Sequence, residues 1–135
     1  MFDPAVYVEN RDVYLYYGFG FDFTKYNFNG MEKPNCGKLG SYVAKLQPDM
    51  MTIIGTPKLF VEGIDDAVNT DYKEHPFFEA SSMRKIGDRY YFVYSSYQGH
   101  ELCYGISNAP DERPDFMGVI ISNGDLGLVD EAVNY

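Results

Sequence analysis

Short apolar and aromatic runs, each closed by a polar turn, fill almost the whole chain, and no long amphipathic helix is found among them. Asp3-Pro4 starts the first run, because proline lacks an amide donor and suits a strand's opening residues. Residues 5–8 then read as a short strand. Glu9-Asn10-Arg11-Asp12 is a turn, and residues 13–17 (VYLYY) form a continuous strand of the kind buried on both faces. Residues 41–47 and 58–61 give a third and a fourth strand, separated by Pro48-Asp49 and a short polar lead-in. Residues 62–73 are polar and acidic, a connector with room for a helical turn. The pattern then restarts with strands at 79–86, 90–95, 101–107 and 117–122, and residues 123–135 are acidic and turn-rich.

The restart is an internal repeat. AVYVENRDVYLYYGF and SSMRKIGDRYYFVYS share a strand, a polar turn and an aromatic strand, and SYVAKLQPDM and LCYGISNAPD share a strand ending in Pro-Asp. The second pair is closer in sequence than the first. Residues 19–39, glycine- and asparagine-rich with Phe21, Phe23, Tyr26 and Phe28 among them, account for the difference as an insertion. A repeated unit of four antiparallel strands is the mark of a propeller blade. The expected fold is therefore all-β, with one blade over 1–63, a connector over 64–75, a second blade over 76–123 and a tail over 124–135. A β-sandwich of about eight strands is the alternative that periodicity leaves open.

Composition narrows the partners. A length of 135 residues suits a single domain, and 45% hydrophobic residues suit a globular one. The formal charge of −9 argues against nucleic acid and against an anionic membrane surface. No apolar run reaches the roughly 18 residues of a membrane span. Neutral substrates such as sugars remain open, and thirteen Tyr and ten Phe supply flat surfaces for a core or for sugar rings. The opening residues MFDPAVYV carry neither a basic leader nor a small-residue cleavage site, so a cytoplasmic location is expected. Cys36 and Cys103 have no zinc-type spacing, and Cys103 lies in an apolar strand where a buried free thiol is the default.

One position stands apart. Glu79 lies on an apolar strand between Phe77-Phe78 and the small residues Ala80, Ser81 and Ser82, where an unpaired charge costs several kcal/mol if buried. Pairing with Arg84 or Lys85 at a strand edge is the structural explanation. The chemical one is a proton donor, since flanking phenylalanines desolvate the carboxyl and favour its protonated form. Asp3 by itself reads as a strand-start residue, and gains interest only beside Glu79. His75, four residues earlier, has the chemistry to bond a sugar or steady the acid. Tyr97, Gln98 and His100 form a turn after the second strand of the second blade. No two of His75, His100 and the nearby acids show ligand spacing, so no metal held by this chain and no cofactor is expected.

FDPAVYVENRDVYLYYGFG and HPFFEASSMRKIGDRYYFVYSSYQGHELCYGISNAPD resemble glycoside hydrolase family 43, and GVIISNGDLGL with Ala132-Val133-Asn134-Tyr135 is similar to a later segment of the same enzymes. The resemblance covers nearly the whole chain and is most specific around Glu79. It implies a five-bladed β-propeller that hydrolyses arabinose- and xylose-containing glycans with inversion. It further implies that Glu79 is the general acid, Asp3 the carboxylate that tunes it, and His75, Ser82, Tyr97, Gln98 and His100 substrate-side residues. The family's base Asp belongs to a blade before Met1, so the chain is expected to be about two blades of five and inactive alone. Self-association through the exposed blade faces is expected. A non-catalytic carbohydrate-binding protein and a structural assembly unit are the rival classes.

Overall fold

The computed structural model describes residues 3–20, 38–97 and 101–126 of the chain. Eight strands follow one another: β1 (Ala5–Glu9), β2 (Asp12–Phe19), β3 (Gly40–Leu46), β4 (Ile53–Glu62), β5 (Phe77–Ile86), β6 (Arg89–Ser96), β7 (Leu102–Ser107) and β8 (Asp115–Ile121). They form two antiparallel sheets in the plain orders β1-β2-β3-β4 and β5-β6-β7-β8. Each sheet is an uninterrupted meander, so the sequence repeat is one sheet repeated, as expected for blades. A short 3-10 turn, Ala67–Asn69, occupies the connector. Most of the 19–39 insertion, and the end of the tail, lie outside the described residues.

Local chemistry sets these elements. The β1–β2 hairpin turns on Asn10 and Arg11, both with positive φ (50° and 71°), the two-residue geometry that matches the twist of the flanking strands. The β5–β6 hairpin turns on Gly87-Asp88, with Gly87 at φ 59°. β4 begins five residues before the apolar pattern shows it. Ile53 and Ile54 there are exposed, and Pro57 is tolerated because β4 is an edge strand.

The sheets pack face to face. Tyr14, Tyr16, Val43, Phe60 and Val61 of the first sheet meet Phe77, Met83, Tyr90, Phe92, Tyr94 and Cys103 of the second in one buried cluster. Phe92 sits at its centre, with ring centroids of Phe60, Tyr16 and Tyr94 at 5.0, 5.9 and 5.9 Å. Fully burying each such side chain contributes about 1.5–3 kcal/mol. Polar groups in this core are tied to distant carbonyls. The Tyr16, Tyr72 and Tyr94 hydroxyls donate to the carbonyls of Pro110 (2.6 Å), Pro114 (3.0 Å) and His75 (2.6 Å). Burial pushes all three phenols far above the usual range, so they remain donors.

The backbones also join at one end. Gly20 N–H donates to the Phe78 carbonyl at 2.8 Å, and Gly63 bridges Phe77 in parallel. A Cβ on Gly20 would stand 1.7 Å from the Phe77 oxygen, so only glycine permits the approach. Across the connector, Arg113 grips Glu62 through two nitrogens (3.0 and 2.8 Å) and Asp71 at 2.7 Å, with its guanidinium 4.9 Å from the Tyr72 ring centre. Among the described residues no helix is long and apolar enough to cross a membrane.

Candidate functional site

Glu79 stands where β5 departs from regular pairing. Phe77 is opposite Ser96, Glu79 opposite Ser95, and Ser82 opposite Val93, so β5 carries two extra residues over this stretch. Such bulges bend a strand and re-aim its side chains, and they gather near functional sites. Ala80, next to Glu79, has φ 62°. The left-handed region costs a non-glycine residue roughly 1–2 kcal/mol, and persists only where surrounding structure imposes it. The imposition is visible one residue on, where the buried Ser81 hydroxyl lies 3.3 Å from the Ser41 hydroxyl of the first sheet.

The structural explanation for Glu79 fails. Lys85 gives its ammonium to Glu9 at 2.6 Å, and Arg84 donates to the Met83 carbonyl. Glu79, half-buried, has no hydrogen-bond or ion-pair partner among the described residues. The Glu9 carboxylate also accepts a short hydrogen bond from the Tyr90 hydroxyl. Hydrogen bonds from Lys85 and Tyr90 hold Glu9 below the usual carboxylate range, and the bond to Glu9 pushes Lys85 up.

That ion pair also aligns the two sheets. Glu9 ends β1 and Lys85 lies near the end of β5, 76 positions on. Asp3, just before β1, and Glu79, near the start of β5, have the same separation and lie towards the other ends of these strands. The register agrees: Ala5 pairs with Tyr16 on β2, whose continuation at Gly20 reaches the Phe78 carbonyl. Asp3 (exposed, φ 40°) and Glu79 therefore occupy the same end of neighbouring sheets.

Aromatic rings flank that end. Phe78 contacts Phe19 (5.1 Å between centroids) and Tyr97 (5.6 Å), and all three are half-buried. Ser82, half-buried, lies opposite Val93. Gln98 and His100 lie outside the described residues. His75 is engaged: its Nδ1 is 2.7 Å from Glu101 Oε2, and its ring stacks on Phe116 at 5.1 Å and 11°. Beneath lies Cys103, a buried free thiol as the sequence suggested, pushed up by burial to about 11. Linear spacing missed this gathering, because His75 and Glu101 are 26 residues apart and only the β6–β7 hairpin joins them. A hollow of about 350 Å³ on the second sheet, lined by Arg89, Asn108, Glu112 and Arg113 among others, includes neither Asp3 nor Glu79.

Two carboxyls at one end of neighbouring sheets, with aromatic rings flanking that end, can give or take a proton next to a neutral ring-shaped ligand. Known proteins point the same way. The chain is 40% identical over 127 residues to a xylosidase/arabinosidase of Thermoclostridium stercorarium, covering 94% of this chain and 24% of that protein. A xylosidase/arabinosidase of Bacteroides ovatus is 31% identical over 131 residues, covering 89% and 40%. The crystal structure of the GH43_1 enzyme from Xanthomonas citri complexed with xylose matches at a TM-score of 0.63 and 25% identity, covering 87% of this chain and 38% of that one. No protein-family model matches. The chain thus spans about a quarter to two-fifths of the curated relatives' length, and the resemblance to glycoside hydrolase family 43 holds along nearly all of it.

Proposed function

We propose, from this kinship with glycoside hydrolase family 43, that the chain forms two blades of an inverting glycosidase propeller acting on xylose- or arabinose-containing glycans, and that Glu79 is its general acid. The observation that carries the assignment is the double bulge of β5, which holds a half-buried carboxyl, without a partner among the described residues, beside a left-handed Ala80. In inverting hydrolysis a protonated carboxyl serves the leaving oxygen, while an ionised one activates water on the opposite face of the sugar, roughly 6.5–9.5 Å away. Asp3, at the same end, takes the place of the family's second carboxylate. A base Asp comes from a further blade, so the 135-residue chain by itself turns nothing over. Ser82 and Tyr97 are its substrate-side residues.

The test is a chimaera. This chain replaces the matching 127-residue segment of the Thermoclostridium stercorarium relative, and hydrolysis of nitrophenyl xyloside and arabinoside is followed. The chimaera should be active, and Glu79→Gln should reduce kcat by about 10²–10⁴, the usual worth of a general acid. Undiminished hydrolysis by the folded Glu79→Gln chimaera refutes the role.

The sheet faces turned away from the shared core carry exposed Val6 and Val8 on one side and Met117 and Ile121 on the other. In the isolated chain these faces pair with second copies. Light scattering that finds only monomer at high micromolar concentration contradicts this.

A further inference from the structure

His75, Glu101 and Cys103 each offer one donor atom within 4.8 Å of the other two. Imidazole nitrogen, carboxylate oxygen and thiolate sulfur are together the donor set of zinc, whereas calcium and magnesium take oxygen ligands. The surroundings are built as a ligand shell. Phe116 stacks on the imidazole and fixes its plane, and the Ser96 hydroxyl lies 3.4 Å from the ligating carboxylate. The Tyr94 hydroxyl anchors the His75 backbone. Such outer contacts orient metal ligands in known sites. Access is from one side: the His75 and Glu101 side chains are 26% and 19% exposed, and Cys103 closes the floor.

We propose that His75, Glu101 and Cys103 bind a zinc-type divalent cation, tying the residues that lead into β5 to the start of β7. Tetrahedral bonds of about 2.0–2.3 Å put donor atoms roughly 3.3–3.8 Å apart. The ion therefore enters by opening the present 2.7 Å His75–Glu101 contact by less than an ångström or so and drawing in the sulfur. The thiol proton passes to solvent as the metal–sulfur bond forms, and water takes the fourth position. The site is independent of the roles proposed for Asp3 and Glu79, and it stabilises the approach to the strand that carries Glu79.

The experiment titrates chelator-treated chain with Co²⁺ and with Zn²⁺. One equivalent of Co²⁺ should produce a sulfur-to-cobalt charge-transfer band, and Zn²⁺ should displace it and raise Tm. Cys36→Ser should keep the band. Cys103→Ser should lose it, and His75→Gln, at a partly exposed position that spares the core, should weaken Co²⁺ binding at least tenfold. Absence of the band in the wild-type chain overturns the proposal. So does its loss in Cys36→Ser with retention in Cys103→Ser, or unchanged affinity in folded His75→Gln.

Discussion

Replacing Tyr16 by Phe tests whether the two sheets share one dry core. The Tyr16 side chain is fully buried, and its hydroxyl donates at 2.6 Å to the carbonyl of Pro110, 94 residues away in the loop after β7. The substitution keeps the ring, so its contacts with Phe60 and Phe92 at 5.3 and 5.9 Å survive and no large cavity opens. What is lost is one hydrogen bond, and what remains is a carbonyl without its phenol donor on a buried residue. A buried acceptor left unsatisfied costs about 1–3 kcal/mol, so a loss of about 2 kcal/mol is expected. For a domain this size, with a urea slope of about 1–3 kcal/mol/M, the midpoint should fall by about 1 M at an unchanged slope. The chain has no tryptophan, so tyrosine fluorescence and far-ultraviolet circular dichroism are the two probes, and they should report the same transition. A loss below about 0.5 kcal/mol would mean that water reaches Pro110 and the interface is wet. Two separate transitions, or a reduced slope, would mean that the sheets unfold independently.

Phe92→Ala, at the centre of the shared cluster, should cost about 3–5 kcal/mol in the same assay, against about 0.5 or less for an exposed substitution. Ala80→Gly should stabilise the chain by about 1 kcal/mol, because glycine accepts φ 62° without strain; a loss in Tm would show that the left-handed conformation is not imposed there. Burial works to raise Asp71, but the Phe116 amide and Arg113 outweigh it and hold the carboxyl below its ordinary value of 3.8. The stability that Asp71 contributes is thus fully present above pH 3.8 and is lost as pH falls through the lower folded value. Asp71→Asn should therefore be less stable than wild type at pH 7, with the gap closing below about pH 4; a gap constant down to pH 2, measured by urea unfolding, contradicts the pairing.

The strand order, the repeat and the unusual place of Glu79 were legible in the chain because they are local: short apolar runs, hairpin turns at Asn10-Arg11 and Gly87-Asp88, and a carboxyl set between Phe77-Phe78 and the small residues Ala80, Ser81 and Ser82. The same locality explains why the 76-residue offset between Asp3 and Glu79 could be counted before any geometry was known. It also explains the wrong partner offered for Glu79. Nearby Lys85 was the obvious counter-charge along the chain, but sheet packing brings it to Glu9 instead. The left-handed Ala80 was equally invisible, since alanine carries no signal for positive φ and the conformation is imposed by pairing with β6 and by the Ser41–Ser81 contact. His75, Glu101 and Cys103 meet only because the β6–β7 hairpin and the connector fold to the same spot, and Arg113 reaches Glu62 and Asp71 across 51 and 42 residues. Strands and turns follow from neighbours a few bonds apart. These clusters follow from which faces must be buried together, a condition that only the packed sheets satisfy.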